Sequence, residues 1–145
     1  MSLKRFIEKR KPVICSSDDK VCKVANQMSQ HNVGSVIVAE NEKPVGLITD
    51  RDIAIRYATN PNINMTAKEV MSKPVHTIGS NKSIFDVTLA MKENECRRIV
   101  VSDDNQGILG VISSGDLMEL FINELSMLGW VTTPHEEKLI PKKAS

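Results

Sequence analysis

The stretch Gly46-Leu47-Ile48-Thr49-Asp50-Arg51-Asp52 recurs later in the chain as Gly110-Val111-Ile112-Ser113-Ser114-Gly115-Asp116. Three further matches precede these two copies in the same order: KPV at 11–13 and 73–75, VCKVANQM at 21–28 and IFDVTLAM at 84–91, and VIV at 36–38 and IVV at 99–101. The offset between matching positions grows only from 62 to 64 residues along the chain. Self-similarity at a nearly fixed spacing indicates a duplicated structural unit, so the chain is predicted to contain two copies of one unit.

Each copy has the pattern β-α-β-β-α. In the first copy an apolar strand over 13–15 precedes Val21, Val24 and Met28, whose spacing predicts one face of a helix. A hairpin over 36–49 follows, and a second helix begins near Arg51. The second copy repeats this order at 75–78, 84–91, 99–113 and 115–128.

Two such units predict an α/β fold with mixed sheets. A unit of about 55 residues is marginally stable alone, so the two are expected to pack sheet against sheet, with pseudo-two-fold symmetry and a cleft on each side of the axis. The expected boundaries are 1–62 for the first domain, 63–128 for the second and 129–145 for a C-terminal tail that is a candidate for flexibility.

A lead-in helix is expected over 3–10, and Thr66-Ala67-Lys68-Glu69 predicts a capping box before a short helical turn. Trp130, in the tail, is expected to pack on its own domain, and the alternative is that it anchors a partner or a second copy of the chain.

The composition argues against several classes of function. Lys plus Arg number 19 against 18 Asp plus Glu, and aromatics are 3%, so a nucleic-acid partner is not favoured, although the basic cluster at 4–11 keeps that alternative open. The sequence has no apolar run near the roughly 18 residues of a membrane span, and residues 1–11 lack the apolar core of a signal peptide, so a cytoplasmic location is expected. A catalytic barrel needs about 250 residues, and no cluster of nucleophile, base and orienting group is visible, so an enzyme is not expected.

The cysteines and histidines indicate no metal site. Cys15, Cys22 and Cys96 are an odd number without C-x-x-C spacing, and the three histidines lie far apart. We therefore expect reduced thiols and neither a metal nor a cofactor.

The repeated motif ends a strand and opens a helix. Thr49 and Asp52, like Ser113 and Asp116, have the spacing of a capping box, in which the two residues satisfy the first free N–H groups of the helix. One interpretation stops at that structural role. The other is a nucleotide site, because a helix N-terminus suits a phosphate, the hydroxyl can donate to phosphate oxygen, and the carboxylate can accept from a ribose diol.

The two G-x-x-[ST]-x-x-D motifs, the repeat itself and Val-Met-Ser-Lys-Pro-Val-His-Thr-Ile at 70–78 resemble a tandem pair of CBS domains, known as a Bateman module. The resemblance covers about residues 5–125. It implies a stand-alone regulatory module that binds AMP, ADP, ATP or, in some members, S-adenosylmethionine in the clefts between the units. It also implies a homodimer and a regulated partner protein that the sequence does not name.

The resemblance also implies the ligand-binding residues. The aspartate of each motif would hold the ribose, and the Thr or Ser would contact phosphate or ribose. The implied set for the Asp116 cleft is Ser113, Ile112, Arg97, Arg98, Pro12, Val13, Ile14 and Val33, and the set for the Asp52 cleft is Thr49, Arg51, Pro74, Val75, Thr77 and Cys96.

The arginines distinguish the two clefts. A basic residue at the start of the second strand often grips phosphate in this family, which points to Arg97 with Arg98 beside it. Gly34 and Ser35 stand at the matching positions of the first unit, so the Asp116 cleft is expected to be the stronger site. Because consecutive strand residues point in opposite directions, only one arginine is expected to face the cleft. The alternative is a solvated strand end, or a salt bridge to Asp103 or Asp104.

A different reading of the whole chain also stays open. If the motifs only cap helices, the protein is an interaction or dimerisation module without a nucleotide ligand.

Overall fold

The computed structural model describes residues 3–8 and 11–132, and its helices and strands follow the predicted order. The first half contains α1 (Leu3–Ile7), β1 (Ile14–Ser16), α2 (Val21–His31), β2 (Ser35–Glu40), β3 (Lys43–Thr49) and α3 (Asp50–Thr59). The second half contains α4 (Ala67–Val70), β4 (Thr77–Gly79), α5 (Ile84–Glu93), β5 (Arg98–Ser102), β6 (Ile108–Ser113) and α6 (Ser114–Thr132).

Each unit forms a three-stranded mixed sheet, in the orders β1-β2-β3 and β4-β5-β6. The first strand of each sheet pairs parallel to the second, and the second pairs antiparallel to the third. A parallel pair needs a long crossover, which α2 and α5 supply, whereas an antiparallel pair needs only a hairpin. The predicted duplication of β-α-β-β-α and the α/β fold with mixed sheets are confirmed.

The middle strands are buried on both faces. Val36 and Val38 belong to the first core cluster, and Ile37 between them is also fully buried. In the second unit Val100 has the same place between Ile99 and Val101. Because successive strand residues point to opposite faces, Ile37 and Val100 lie on the faces turned away from these two clusters. Burial of both faces is what sheet-to-sheet packing of the two units produces.

Two short helices pack across the boundary between the halves. Leu3 and Ile7 of α1 are buried in the second core cluster, whereas Ala67 and Val70 of α4 are buried in the first. The Ala67 N–H donates to Asp19 O at 2.8 Å, which fixes α4 against the start of α2. Thr66 and Glu69 form the predicted capping box at α4.

The last helix is longer than predicted. It was expected to end near residue 128, but α6 continues through Gly129 and Trp130 to Thr132. One glycine inside a helix costs only about 1 kcal/mol relative to alanine, so it does not end a helix by itself. Trp130 lies on this extension with 69% of its surface exposed, instead of packing into a core. Residues 133–145, which hold the rest of the predicted tail, lie outside the described residues.

Candidate functional site

Both repeated motifs form capping boxes at strand-to-helix junctions. At the start of α3, the N–H and the hydroxyl of Thr49 each donate to Asp52 Oδ2 at 2.8 Å, and Asp52 N–H donates to Thr49 Oγ1 at 3.1 Å. At the start of α6, the N–H and the hydroxyl of Ser113 donate to Asp116 Oδ2 at 2.7 and 2.6 Å. The structural interpretation of the motifs is therefore present in the molecule.

The same box occurs in two helices where no ligand was expected. Ser83 and Asp86 form it at α5, and Thr66 and Glu69 form it at α4. Hydrogen bonds from Ser83 lower the pKa of the Asp86 carboxyl, and hydrogen bonds from Thr66 lower the pKa of the Glu69 carboxyl. In both cases the backbone N–H contributes most and the hydroxyl contributes second. A capping box alone is thus a general helix start, and what distinguishes Asp52 and Asp116 is the cavity beside each.

The Asp116 cavity has a volume of about 510 Å³ and lies between the two units. The second unit contributes Ser113 and Asp116 from the junction of β6 and α6. The first unit contributes the Lys-Pro-Val segment at 11–13 and the residues between α2 and β2. Its described lining is Lys11, Pro12, Val13, His31, Asn32, Val33, Gly34, Ser35, Arg98, Val111, Ser113 and Asp116.

The Asp52 cavity is built the same way with the units exchanged, and its volume is about 320 Å³. Thr49 and Asp52 come from the first unit, and the second Lys-Pro-Val segment, 73–75, comes from the second. Asp52 Oδ1 also accepts from the Ser72 hydroxyl at 3.3 Å. The described lining is Leu47, Thr49, Asp52, Ser72, Lys73, Pro74, Val75, His76, Asn94, Glu95, Cys96, Arg97, Arg98 and Val100.

The cavities bring together most residues that the sequence predicted for each cleft. Around Asp116 these are Ser113, Arg98, Pro12, Val13 and Val33. Around Asp52 they are Thr49, Pro74, Val75 and Cys96.

Four predicted residues lie elsewhere. Ile112 is fully buried in the second core cluster, because its neighbours Val111 and Ser113 take the cavity side of β6. Ile14 lines a third depression, next to Cys15 and Gln27. Thr77 is exposed on β4, and Arg51 is exposed on the first turn of α3.

The arginines also differ from the expectation. Arg97 was expected at the Asp116 cleft but lines the Asp52 cavity, and Arg98 lines both cavities. Neither forms the alternative salt bridge within the described chain. Asp103 Oδ1 accepts the N–H groups of Asn105 and Gly107. At the start of β5, Arg98 pairs with Ser113 of β6, and this register decides which cavity each arginine lines.

Sequence reasoning missed two lysines. Lys11 lines the Asp116 cavity and Lys73 lines the Asp52 cavity at the equivalent position. The signal was present, because Lys-Pro-Val is one of the repeated segments. His31 and His76 also line the cavities, one each.

The electrostatics of both cavities favour an anion. Among the described lining residues, Lys11 and Arg98 face a single carboxylate in the Asp116 cavity. Lys73, Arg97 and Arg98 face Asp52 and Glu95 in the other. The N-termini of α6 and α3 add the positive end of a helix dipole to each cavity.

The described residues contain no group of three or more His, Cys, Asp or Glu that could hold a metal ion. Among the described helices, none has the length and apolar character needed to cross a bilayer.

Comparisons with known proteins agree with this architecture. The chain is 33% identical to the CBS domain-containing protein YhcV of Bacillus subtilis over 112 residues. This alignment covers 77% of each of the two chains. It is 27% identical over 118 residues to the uncharacterized protein MK0525 of Methanopyrus kandleri, and it spans 60% of the length of that relative.

Solved structures give the same fold. The CBS domain pair of protein MJ0100, in complex with 5′-methylthioadenosine and S-adenosyl-L-methionine, matches with a TM-score of 0.74 and 26% identity, over 86% of this chain and 98% of that one. The CBS domain protein PAE2072 of Pyrobaculum aerophilum, complexed with AMP, matches with a TM-score of 0.73 and 22% identity, over 88% and 99% of the two chains.

The family model described as the CBS domain matches residues 5–58 and again residues 67–123. The two matches coincide with the two β-α-β-β-α units, and the resemblance drawn from the repeated motifs is confirmed. The chain belongs to the CBS domain family, as a pair of CBS domains.

Proposed function

We propose that this chain is a regulatory module that binds an adenine nucleotide, AMP, ADP or ATP, in the cavities between its two CBS domains and signals occupancy to a partner protein. The observation that carries the proposal is the composition of each cavity. A capping aspartate and a hydroxyl from one unit face a Lys-Pro-Val segment from the other.

The capping role leaves Asp52 able to bind a ribose. A carboxylate has about four acceptor positions, and the capping bonds to Asp52 occupy only one of its oxygens, Oδ2. The hydrogen bond from Ser72 to Asp52 Oδ1 is long, at 3.3 Å, so a ribose hydroxyl can replace it. The apolar Pro12, Val13 and Val33 offer a surface for the base in the Asp116 cavity.

The charges favour a phosphate over a cationic ligand. The MJ0100 domain pair was solved with S-adenosyl-L-methionine, whose sulfonium is positive. In the described lining of the Asp116 cavity, two fixed positive charges face one carboxylate. A nucleotide phosphate therefore gains a charge-assisted contact there that a sulfonium does not.

The experiment is calorimetric titration of AMP, ATP and S-adenosylmethionine into the wild-type chain and Asp116→Ala. We expect AMP or ATP to bind, and we expect the variant to lose about tenfold or more in affinity at the Asp116 cavity, the range of a hydrogen bond to a charged group. Asp86→Ala is the matched control, because it breaks the same capping box at α5 and Asp86 is absent from the described lining of both cavities. It should bind AMP as the wild type does.

The outcomes separate the candidate functions. An equal loss in Asp86→Ala would mean that destabilisation, not a lost ligand contact, lowers the affinity. Tighter binding of S-adenosylmethionine than of either nucleotide would contradict the assignment of a phosphate ligand. No binding of any of the three at millimolar concentration would contradict the proposal and leave an interaction module.

We also propose that the module is non-catalytic, cytoplasmic and a homodimer. The three cysteines are free thiols in the structure, which suits a reducing compartment. The apolar side chains exposed along α6 supply a surface for a second copy of the chain.

A further inference from the structure

We infer that the two cavities compete for one arginine, Arg98, so that a phosphate bound in one cavity weakens the binding of a phosphate in the other. The inference rests on the proposed function and adds a regulatory property to it, negative coupling between the two sites of one chain.

Arg98 is the one residue that the described linings of the two cavities share. It is the first residue of β5 and pairs with Ser113 of β6, beside the capping box of Asp116. The adjacent Arg97 is exposed and belongs to the described lining of the Asp52 cavity only. Arg98 therefore lies where the two cavities meet.

The side chain of Arg98 extends toward the first unit. Its Nη2 lies 3.9 Å from the point where a Cβ on Gly34 would stand, and Gly34 lines the Asp116 cavity. Asp50 Oδ2 lies 3.8 Å from that same point. In the described part of the chain the structure gives the Arg98 side chain no hydrogen bond and no ion pair, so an arriving anion displaces no described partner of this arginine.

One guanidinium holds one phosphate well. Its planar fork donates two parallel hydrogen bonds to a single phosphate, and that geometry commits it to one direction. A nucleotide in either cavity that recruits Arg98 removes a positive charge from the other cavity. The second nucleotide then binds with fewer donors and nearer to an uncompensated negative charge.

The two cavities differ in how much they depend on Arg98. Besides Arg98, the described lining of the Asp116 cavity holds one fixed positive charge, Lys11, whereas the Asp52 cavity holds Lys73 and Arg97. A phosphate in the Asp52 cavity therefore keeps two basic contacts without Arg98. The coupling is expected to show mainly as weaker AMP binding at the Asp116 cavity.

The test measures AMP binding by calorimetry in chains with both cavities intact and with one disabled. Asp52→Ala reports the Asp116 cavity alone, and Asp116→Ala reports the Asp52 cavity alone. In the wild type, the second AMP should bind about tenfold more weakly than the single-cavity variants predict for independent sites, within the usual range of coupling between sites. Adenosine has no phosphate, so its binding in one cavity should not weaken its binding in the other.

Two arginine variants, with the fold checked by circular dichroism, identify the residue. Arg98→Gln, made in the wild type and in both single-cavity variants, should lower AMP affinity at each cavity and bring the coupling factor within twofold of one. The matched control Arg97→Gln should lower AMP affinity at the Asp52 cavity but keep the coupling factor.

An unchanged coupling factor in Arg98→Gln would overturn the inference, because repulsion between phosphates would then account for it. Independent or positively coupled sites in the wild type would overturn it while leaving the proposed function intact. An absence of AMP binding in all chains would overturn the proposed function itself.

Discussion

The three cysteine thiols occupy three different environments. Cys15 is buried in the first core cluster, and burial, with a smaller contribution from the Asp19 carboxylate, raises its pKa to about 11. Cys96 is half-buried in the wall of the Asp52 cavity, and desolvation raises its pKa as well. Cys22 is exposed on the first turn of α2. Because the thiolate is the reactive form, these environments predict an order of reactivity.

Alkylation with iodoacetamide at pH 8.5 should modify Cys22 first, Cys96 more slowly and Cys15 last. AMP should slow the modification of Cys96, because a nucleotide in the Asp52 cavity covers the thiol, and should leave Cys22 unchanged. Peptide mass spectrometry over a time course measures each rate. Equal slowing of Cys22 would indicate a general effect of AMP on the protein, and an unchanged rate at Cys96 under saturating AMP would contradict occupancy of that cavity.

Single residues at the cavities were predictable to different degrees. The aspartates and hydroxyls of the repeated motif could be predicted, because a motif at a strand-to-helix junction fixes its own backbone geometry. The cavity that Arg97 lines could not be predicted, since the direction of a side chain at the start of a strand depends on register and twist. The core position of Ile112 was not predicted for a related reason: the alternation of side chains along β6 sets which side faces the cavity, and Ile112 lies on the core side.

Strand β3 and the segment after α4 are held together at Gly46. The Leu47 O accepts from Ser72 N–H at 2.8 Å, so residues 71–72 run beside β3. A Cβ added at Gly46 would lie 2.8 Å from Met71 Cγ and 2.9 Å from Met71 Cβ. The first glycine of the repeated motif is thus required by close packing between the first unit and the connection to the second.

Gly46→Ala should lower the free energy of unfolding by about 1–3 kcal/mol, the usual cost of overpacking a buried position. Urea denaturation followed by circular dichroism measures it. Gly115→Ala is the matched control, because its Cβ would meet only Ser113 Oγ at an ordinary 3.6 Å, on the first turn of α6. That variant should be as stable as the wild type or slightly more so. Equal stability of the two variants would contradict the packing role of Gly46.

The order of helices and strands could be predicted from the sequence, but their partners only in part. Apolar spacing predicted α2 and α5, and the duplication showed that both units share one topology. The burial of α1 in the second core could not be predicted, because the apolar face of a short helix does not specify which core covers it. The length of α6 was underestimated because Gly129 resembles a helix end.

The whole molecule exposes an apolar surface along α6. Met118, Ile122 and Leu125 are spaced by four and three residues, which places them on one side of the helix, and Phe121 lies beside them. Their exposed fractions are 61%, 55%, 66% and 41%. A near-neutral net charge of +1 gives little repulsion between copies. These features support the proposed homodimer, with this surface as its interface.

Sedimentation velocity should therefore find a dimer of the wild-type chain and a monomer of the double variant Ile122→Glu and Leu125→Glu, because four buried carboxylates per dimer would lack partners. Ile63→Glu is the control, since Ile63 is 74% exposed outside α6 and its replacement should leave the dimer intact. The described lining of both cavities comes from one chain, so the monomeric variant should still bind AMP. A dimeric double variant would contradict the assigned interface. A monomer that no longer binds AMP would mean that the second copy completes or orders the cavities, and ligand binding and assembly would then be linked through the dimer.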